Sequence, residues 1–154
     1  ANVTGSYNIA IGEGAMNNLN IASDCVAIGR SSATKGLESI AIGLQASAGG
    51  LSTSQGAISI GASSGVSASF GVAIGRGATI DGEYSIAIGF GSQAIDDNSV
   101  SIGRGASTNG ANQFAIGTAA QNVGVTDAVT TFTQSNRWTV KINGVDYYIP
   151  LDAV

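Results

Sequence analysis

GVAIGRGATIDGEYSIAIG, residues 71–89, is the stretch that decides the fold, because most of the chain repeats it. The recurring unit is Val/Ile-Ala-Ile-Gly, and eight related units end on Gly12, Gly29, Gly43, Gly61, Gly75, Gly89, Gly103 and Gly117. Successive glycines are 17, 14, 18, 14, 14, 14 and 14 residues apart. A 14-residue period with two short insertions indicates a repeat architecture.

Aligning the units on this glycine gives columns of similar residues, and we number positions from the glycine. Position −1 is Ile in every unit, position −3 is Val, Ile or Phe, and position −2 is Ala or Ser. Large and small side chains that alternate with a period of two are typical of a strand with one packed face. We therefore expect the large side chains to fill the core of each coil and the small column at −2 to face outward.

Two further columns suggest how the chain turns. Position +3 is Ala or Ser in every unit, and glycine recurs at +7 in five units, as Gly36, Gly50, Gly82, Gly110 and Gly124. Glycine at two fixed points suggests two bends per repeat, where φ is positive or two backbones approach closely. Two short strands and two bends predict one coil of a narrow β-solenoid, with eight coils stacked about 4.8 Å apart. Helix is disfavoured, because each glycine costs about 1 kcal/mol relative to alanine.

The composition limits the classes of protein that fit. The net charge of −4 gives no electrostatic support for binding nucleic acid. Cys25 is the only cysteine, so an intrachain disulfide is excluded, and we expect it to be a small packed residue. No stretch approaches the ~20 apolar residues of a transmembrane helix, so no membrane insertion is predicted. We also expect no signal peptide, since the repeats begin by Ile9.

A coil this thin is expected to need a partner. Fourteen ordered residues that bury only two large side chains recover barely enough free energy to offset the conformational entropy they lose. The small side chains at −2 would let a second chain approach closely. We therefore expect a homo-oligomer of parallel solenoids, closed by cyclic symmetry.

The repeat resembles that of a known family. The pattern Ser-Ile-Ala-Ile-Gly-x-x-Ala-x-x-x-Gly at residues 39–50, with counterparts at 71–82 and 99–110, is similar to the head repeat of trimeric autotransporter adhesins, the YadA-like heads. The resemblance covers residues 8–124 and implies a left-handed parallel β-roll that forms a homotrimer. Similar repeats also occur in bacteriophage fibre and virion proteins. The family provides no catalytic residues, and the resemblance implies no cofactor.

The chain after the repeats has a different character. We divide it into a lead-in at 1–8, the solenoid at 9–124 and an aromatic module at 125–154. In the module, alternating residues on either side of Asn143-Gly144 predict a β-hairpin, which Pro150 ends. We expect this hairpin to cap the solenoid or to form a docking or trimerisation element through Trp138, Tyr147, Tyr148, Ile149 and Leu151. An adhesin would instead continue into a stalk, and no heptads follow here.

Enzymatic activity is not expected. Residues 61–65 match the Gly-x-Ser-x-Gly pattern of serine hydrolases, but the chain has no histidine. Glu83 and Asp97 share a column on adjacent coils, near Asp81 and Asp96, so a carboxylate glycosidase is a third alternative. Such acids are more often solubilising loop charges.

One surface strip is a candidate contact site. Arg76, Phe90 and Arg104 lie at position +1 on successive coils and should form a ladder in which a guanidinium lies on each side of the ring. Phe70 and Tyr84 share position −5 and should also stack, which we interpret as edge packing. The ladder is a candidate contact for a host glycan or protein.

Together these features predict a non-enzymatic, trimeric fibre, knob or decoration protein on the surface of a bacteriophage virion. Its expected partners are other capsid or tail proteins and a host-surface receptor. The alternative is the head of a bacterial trimeric autotransporter adhesin, displayed on the cell surface and binding host matrix.

Overall fold

The computed structural model describes residues 5–17, 22–50, 54–117, 137–142 and 145–150, the last two ranges by their backbone alone. Every regular element among these residues is a β-strand. The chain divides into two compact units, 1–123 and 124–154, which are described separately.

The first unit winds through alternating three-residue and two-residue strands. The three-residue strands are β1 (Ile9–Ile11), β2 (Val26–Ile28), β4 (Ile40–Ile42), β6 (Ile58–Ile60), β8 (Val72–Ile74), β10 (Ile86–Ile88), β12 (Val100–Ile102) and β14 (Phe114–Ile116). The two-residue strands are β3 (Ala33–Thr34), β5 (Ser47–Ala48), β7 (Gly65–Val66), β9 (Thr79–Ile80), β11 (Gln93–Ala94) and β13 (Ser107–Thr108). The former build an eight-stranded sheet and the latter a six-stranded sheet.

All strand pairs in the two sheets are parallel and join residues at the same position of consecutive repeats. Ile86, for example, lies opposite Val72 on one side and Val100 on the other. Eight stacked strands of the larger sheet enclose about seven turns, and the 17- and 18-residue repeats keep the same register. The predicted parallel β-solenoid is therefore confirmed, whereas its left-handed winding and the trimer stay predictions.

Each coil turns at two points that the sequence marks differently. The repeat glycine has φ near +130°, and a Cβ on Gly43 would lie 2.6 Å from the Gly61 backbone carbon of the next coil. Three of the predicted +7 glycines, Gly36, Gly50 and Gly82, are sites of close backbone approach, and a Cβ on Gly50 would lie 2.5 Å from the Ser67 carbonyl oxygen. Gly110 would meet only the Gln113 side chain, and Gly124 lies outside the described residues. The second bend itself comes two residues later, at position −5, where the backbone is left-handed even in Tyr84 (φ 56°).

The assignment of the two strand faces was wrong. The small residues at −2, such as Ala73 and Ala87, are fully buried inside the coil, whereas no Val or Ile at −1 or −3 is buried. The reason is the width of the coil, whose interior is filled from four directions by positions −4, −2, +3 and +5. Ile80 is the largest fully buried side chain there. The large side chains therefore point away from their own coil, and the small column cannot form the contact between chains.

Position −4 connects consecutive coils by hydrogen bonds. The Ser85 hydroxyl accepts the backbone N–H of Ser99 at 3.0 Å and donates to the Asp96 carbonyl at 3.0 Å. The Ser99 hydroxyl in turn accepts the N–H of Gln113. Cys25 is fully buried in the same column, as predicted for a small packed residue, and its thiol donates to the Gly36 carbonyl. Serine at −4 is thus an interior linker between coils.

The second unit contains an antiparallel pair of strands, β15 (Arg137–Ile142) and β16 (Val145–Pro150). Trp138 lies opposite Ile149, and Ile142 lies opposite Val145. These strands confirm the predicted hairpin. Its Asn143-Gly144 turn and Leu151 lie outside the described residues, and the proposed capping role stays a prediction.

Candidate binding surface

The outer side of the eight-stranded sheet is a continuous apolar face. Every outward residue of its strands, at −1 and −3, is Val, Ile or Phe, and we call these two columns the apolar face. Ile74, Ile88 and Ile102 are each 37% exposed in the single chain, and Phe114 is 61% exposed. The parallel register aligns each large side chain with those of the coils above and below.

The area of this face lies within the range of the largest apolar patch on a typical monomer, a patch that is often functional. Seven strand spacings of ~4.8 Å and a strand length of ~10 Å give roughly 340 Å² in projection. Isolated surface isoleucines need no explanation, but a contiguous apolar patch of this kind is a candidate interaction site. The face has no catalytic or metal-binding groups, so its chemistry fits burial against another apolar surface.

The predicted ladder lies at position +1, just beyond the C-terminal ends of the three-residue strands. The guanidinium carbons of Arg76 and Arg104 lie 5.8 and 5.7 Å from the centroid of the Phe90 ring, one on each side. The ring is 53% exposed. The predicted cation–π ladder is confirmed, and its role as a contact site stays a prediction. Arg30 occupies the same column, which the sequence alignment could have included.

A pair of aromatic residues lies at position −5, just before the N-terminal ends of the three-residue strands. Phe70 and Tyr84 stack at 5.1 Å with an interplanar angle of 11°, as predicted, and both rings remain exposed. Both residues also have positive φ, a conformation that costs about 1–2 kcal/mol in a non-glycine residue. The sequence did not mark this bend, although Asn98 and Asn112 in the same column are residues that tolerate it.

The acids proposed as a catalytic pair lie beside this aromatic edge. The Asp97 carboxylate accepts the backbone N–H of Glu83 at 2.8 Å, so it ties two adjacent coils together. Among the described residues no group of three His, Cys, Asp or Glu side chains could hold a metal ion. The hydrogen bond gives Asp97 a structural role, and a catalytic role for these acids stays an untested alternative.

The hairpin residues predicted to dock or trimerise are placed only in part. Trp138, Tyr147, Tyr148 and Ile149 lie in the two paired strands. Their cross-strand partners are Ile149 for Trp138 and Thr139 for Tyr148.

No helix in the described part of the chain is long and apolar enough to cross a membrane.

Comparison with known proteins identifies the repeat. The family model described as the YadA head domain repeat matches two copies, at residues 26–50 and 81–106. No curated protein matches the chain. The two matches fall on β2–β5 and on β10–β12 with their intervening turns, so the family repeat corresponds to coils of the solenoid. The predicted resemblance is confirmed.

Proposed function

Because the solenoid contains YadA-like head repeats, we propose that it is the head of a surface-displayed, adhesin-like fibre built from three copies of the chain. The three copies pack through their apolar faces around a common axis and form a stiff rod. The head attaches to a host surface, and it does so without catalysis or a cofactor.

The observation that carries this proposal is the apolar face. The eight three-residue strands together direct sixteen large side chains outward from the solenoid, whose interior is lined mainly by alanine and serine. The exposed part of these side chains, 37% at Ile74 and Ile88, gains its hydrophobic free energy only when the face is covered. The apolar face of an identical copy can pack against it, because the side-chain columns of both copies have the same spacing from coil to coil.

A three-fold arrangement suits the shape of the sheet. The strands are only three residues long, about 10 Å, and stack into a ribbon several times longer than it is wide. Three such ribbons can enclose a narrow core of isoleucine side chains, in the closed symmetry that soluble oligomers favour. The family resemblance supports the same number of copies.

A pair of matched substitutions tests the interface. Ile88 on the apolar face and Ile95 outside it are both partly exposed in the single chain, at 37% and 45%. Ile88→Asp should dissociate the assembly, since it buries a carboxylate among isoleucines. Ile95→Asp should leave the mass unchanged. Light scattering after size-exclusion chromatography measures both, and a wild-type mass for Ile88→Asp would refute the interface.

The surface on which the head is displayed is a finer question. The repeat match supports a cell-surface adhesin, and the hairpin of β15 and β16 favours the second candidate, a bacteriophage virion fibre or decoration protein attached to capsid or tail proteins. Short aromatic hairpins resemble the ends of phage fibre proteins, whereas an adhesin head leads into a helical stalk. Immunogold labelling of intact virions and of intact cells with an antibody to the solenoid distinguishes the two.

The attachment role and the absence of catalysis are tested together. The purified solenoid should bind host cells or matrix in a surface-binding assay and should release no sugar from host polysaccharide. Release of sugar that Asp97→Asn abolishes would instead support the glycosidase alternative.

A further inference from the structure

Most charged side chains in the described part of the solenoid lie on the two edges that flank the apolar face, and Lys35, Asp81 and Asp96 lie outside them. Position +1, which we call the basic edge, contains three of the four described cations of this unit, Arg30, Arg76 and Arg104. Positions −5 and −6, which we call the acidic edge, contain Asp24, Glu38, Glu83 and Asp97. No ion pair joins the two sets within the described part of the chain.

Two pairs of opposite charges lie at matching heights along the solenoid. Arg104 belongs to the same coil as Asp97, and Arg30 to the same coil as Asp24. The other charged residues of the two edges face uncharged ones at the same height. Glu38 shares a coil with Leu44 and Glu83 with Phe90, and Arg76 belongs to a coil whose acidic edge is uncharged. Charge on one edge is therefore matched by opposite charge, or by none, on the other.

Simple geometry places these edges together in a three-fold assembly. Packed sheets lie ~10 Å apart, so each of three sheets would lie roughly 5–6 Å from the common axis. Their backbones then form a triangle with sides of roughly 17–20 Å. At ~3.3 Å per residue, each corner lies about three residues from the strand centre at −2, which is at positions −5 and +1.

The direction of the strands decides which edges meet at a corner. In a cyclic trimer the strands run the same way around the axis, so the end of one strand lies beside the start of the next copy's strand. Such a contact is heterologous, joining two different surfaces, and it closes after three copies. The basic edge of one copy therefore meets the acidic edge of its neighbour.

We propose that the basic edge docks against the acidic edge of a second copy, with Arg104 beside the neighbour's Asp97 region and the Phe90 ladder beside its Phe70–Tyr84 stack. This inference rests on the proposed trimer and adds what fixes its register. Exposed aromatic rings on both edges, at 53% for Phe90 and 59% for Tyr84, become buried together. The ladder is then an interface between copies and is not a free receptor site.

The first coil shows that the pattern holds where the sign changes. Glu13 occupies position +1 there and is the one described acid on the basic edge. The acidic edge of the same coil presents Ser6 and Tyr7, which are uncharged. Parallel, in-register copies therefore meet no like charges at this height.

A charge-swap experiment tests the edge contact. The reversal Arg104→Asp, or Asp97→Lys alone, places like charges at all three corners of the trimer. Each single variant is compared with wild type at the urea concentration where half of the wild-type chains are dissociated. We expect each to raise the chain concentration needed for half-assembly by about tenfold, and 0.5 M NaCl to shrink the difference. The double variant Arg104→Asp with Asp97→Lys should assemble better than Asp97→Lys alone, because the pair is again complementary while the bond from the Glu83 N–H to Asp97 is lost in both.

The outcomes separate this inference from the proposed function. A monomeric wild type would refute the proposed trimer itself. A trimeric wild type whose single variants assemble as well as it does would refute only the edge contact, and would return the ladder to the role of a receptor site. A double variant that assembles no better than Asp97→Lys, while circular dichroism shows an intact fold, would also overturn the edge contact. Gln93→Asp, an exposed change away from both edges, is the matched control and should not alter assembly.

Discussion

The hydrogen bonds at position −4 give a sharp test of how the coils are connected. Ser85 is fully buried, and its hydroxyl is the acceptor for the backbone N–H of Ser99 at 3.0 Å. Ser85→Ala removes that acceptor and the bond to the Asp96 carbonyl. A buried donor left without a partner costs about 1–3 kcal/mol, so we expect a loss near 2 kcal/mol in the free energy of unfolding. Ala57 occupies the same column, so the variant should fold.

Ser101→Ala is the matched control, because it removes the same atom from an equally buried serine. The Ser101 hydroxyl has no hydrogen-bond partner, and most other coils have alanine at this position. Its removal relieves a desolvation cost, and we expect a gain of about 1 kcal/mol. The free energies of unfolding of the two variants should therefore lie on opposite sides of the wild-type value and differ from each other by about 3 kcal/mol.

Urea unfolding followed by far-ultraviolet circular dichroism measures both variants. The chain concentration must be identical throughout, because mass action contributes to the stability of an oligomer. Equal losses in the two variants would refute the reasoning, since burial alone would then explain the serines. A stable Ser85→Ala would show that the hydroxyl does not connect the coils.

The remaining predictions concern the bends and the stack, each measured by urea unfolding. Gln45→Gly should stabilise by about 0.5–1 kcal/mol, because Gln45 has φ of 56° at a position where Gly91 stands in another coil. Gly43→Ala should prevent folding, since its Cβ would collide with the backbone of Gly61, and a folded variant would contradict the stacking distance. Phe70→Ala should cost about 1 kcal/mol through loss of the ring stack, and no cost would show that the stack is incidental.

Much of the fold follows from the repeat alone. The 14-residue spacing predicts parallel coils, and the register of the strands confirms it. The Arg76–Phe90–Arg104 ladder could also be predicted, because parallel stacking brings residues one repeat apart into contact. The alternation within β15 and β16 predicts their pairing for the same local reason.

The direction of the large side chains could not be derived from alternation. A period of two shows that Ile86 and Ile88 share a face opposite Ala87, but both faces of this strand are packable. Which face points inward depends on the width of the coil, a property of the closed turn and not of the strand. The general rule that large apolar residues fill the core of their own chain fails for a coil whose interior is wide enough only for mainly small side chains such as Ala87.

The left-handed bend at −5 was missed for a related reason. Tyr84 and Phe70 are residues that rarely adopt positive φ, so nothing in their identity signals a turn. The cost is accepted because the coil must close and the two rings gain contact with each other. The acidic and basic edges depend on these bends, and they become visible only after the corners of the coil are located.

Sedimentation equilibrium of the unmodified chain tests the central claim most directly. If identical copies cover the apolar face, as proposed, the chain should sediment as three copies of 15.2 kDa, roughly 46 kDa, over a wide range of concentrations. A folded β-rich species that stays at 15.2 kDa, with its isoleucine face open to water, would contradict it.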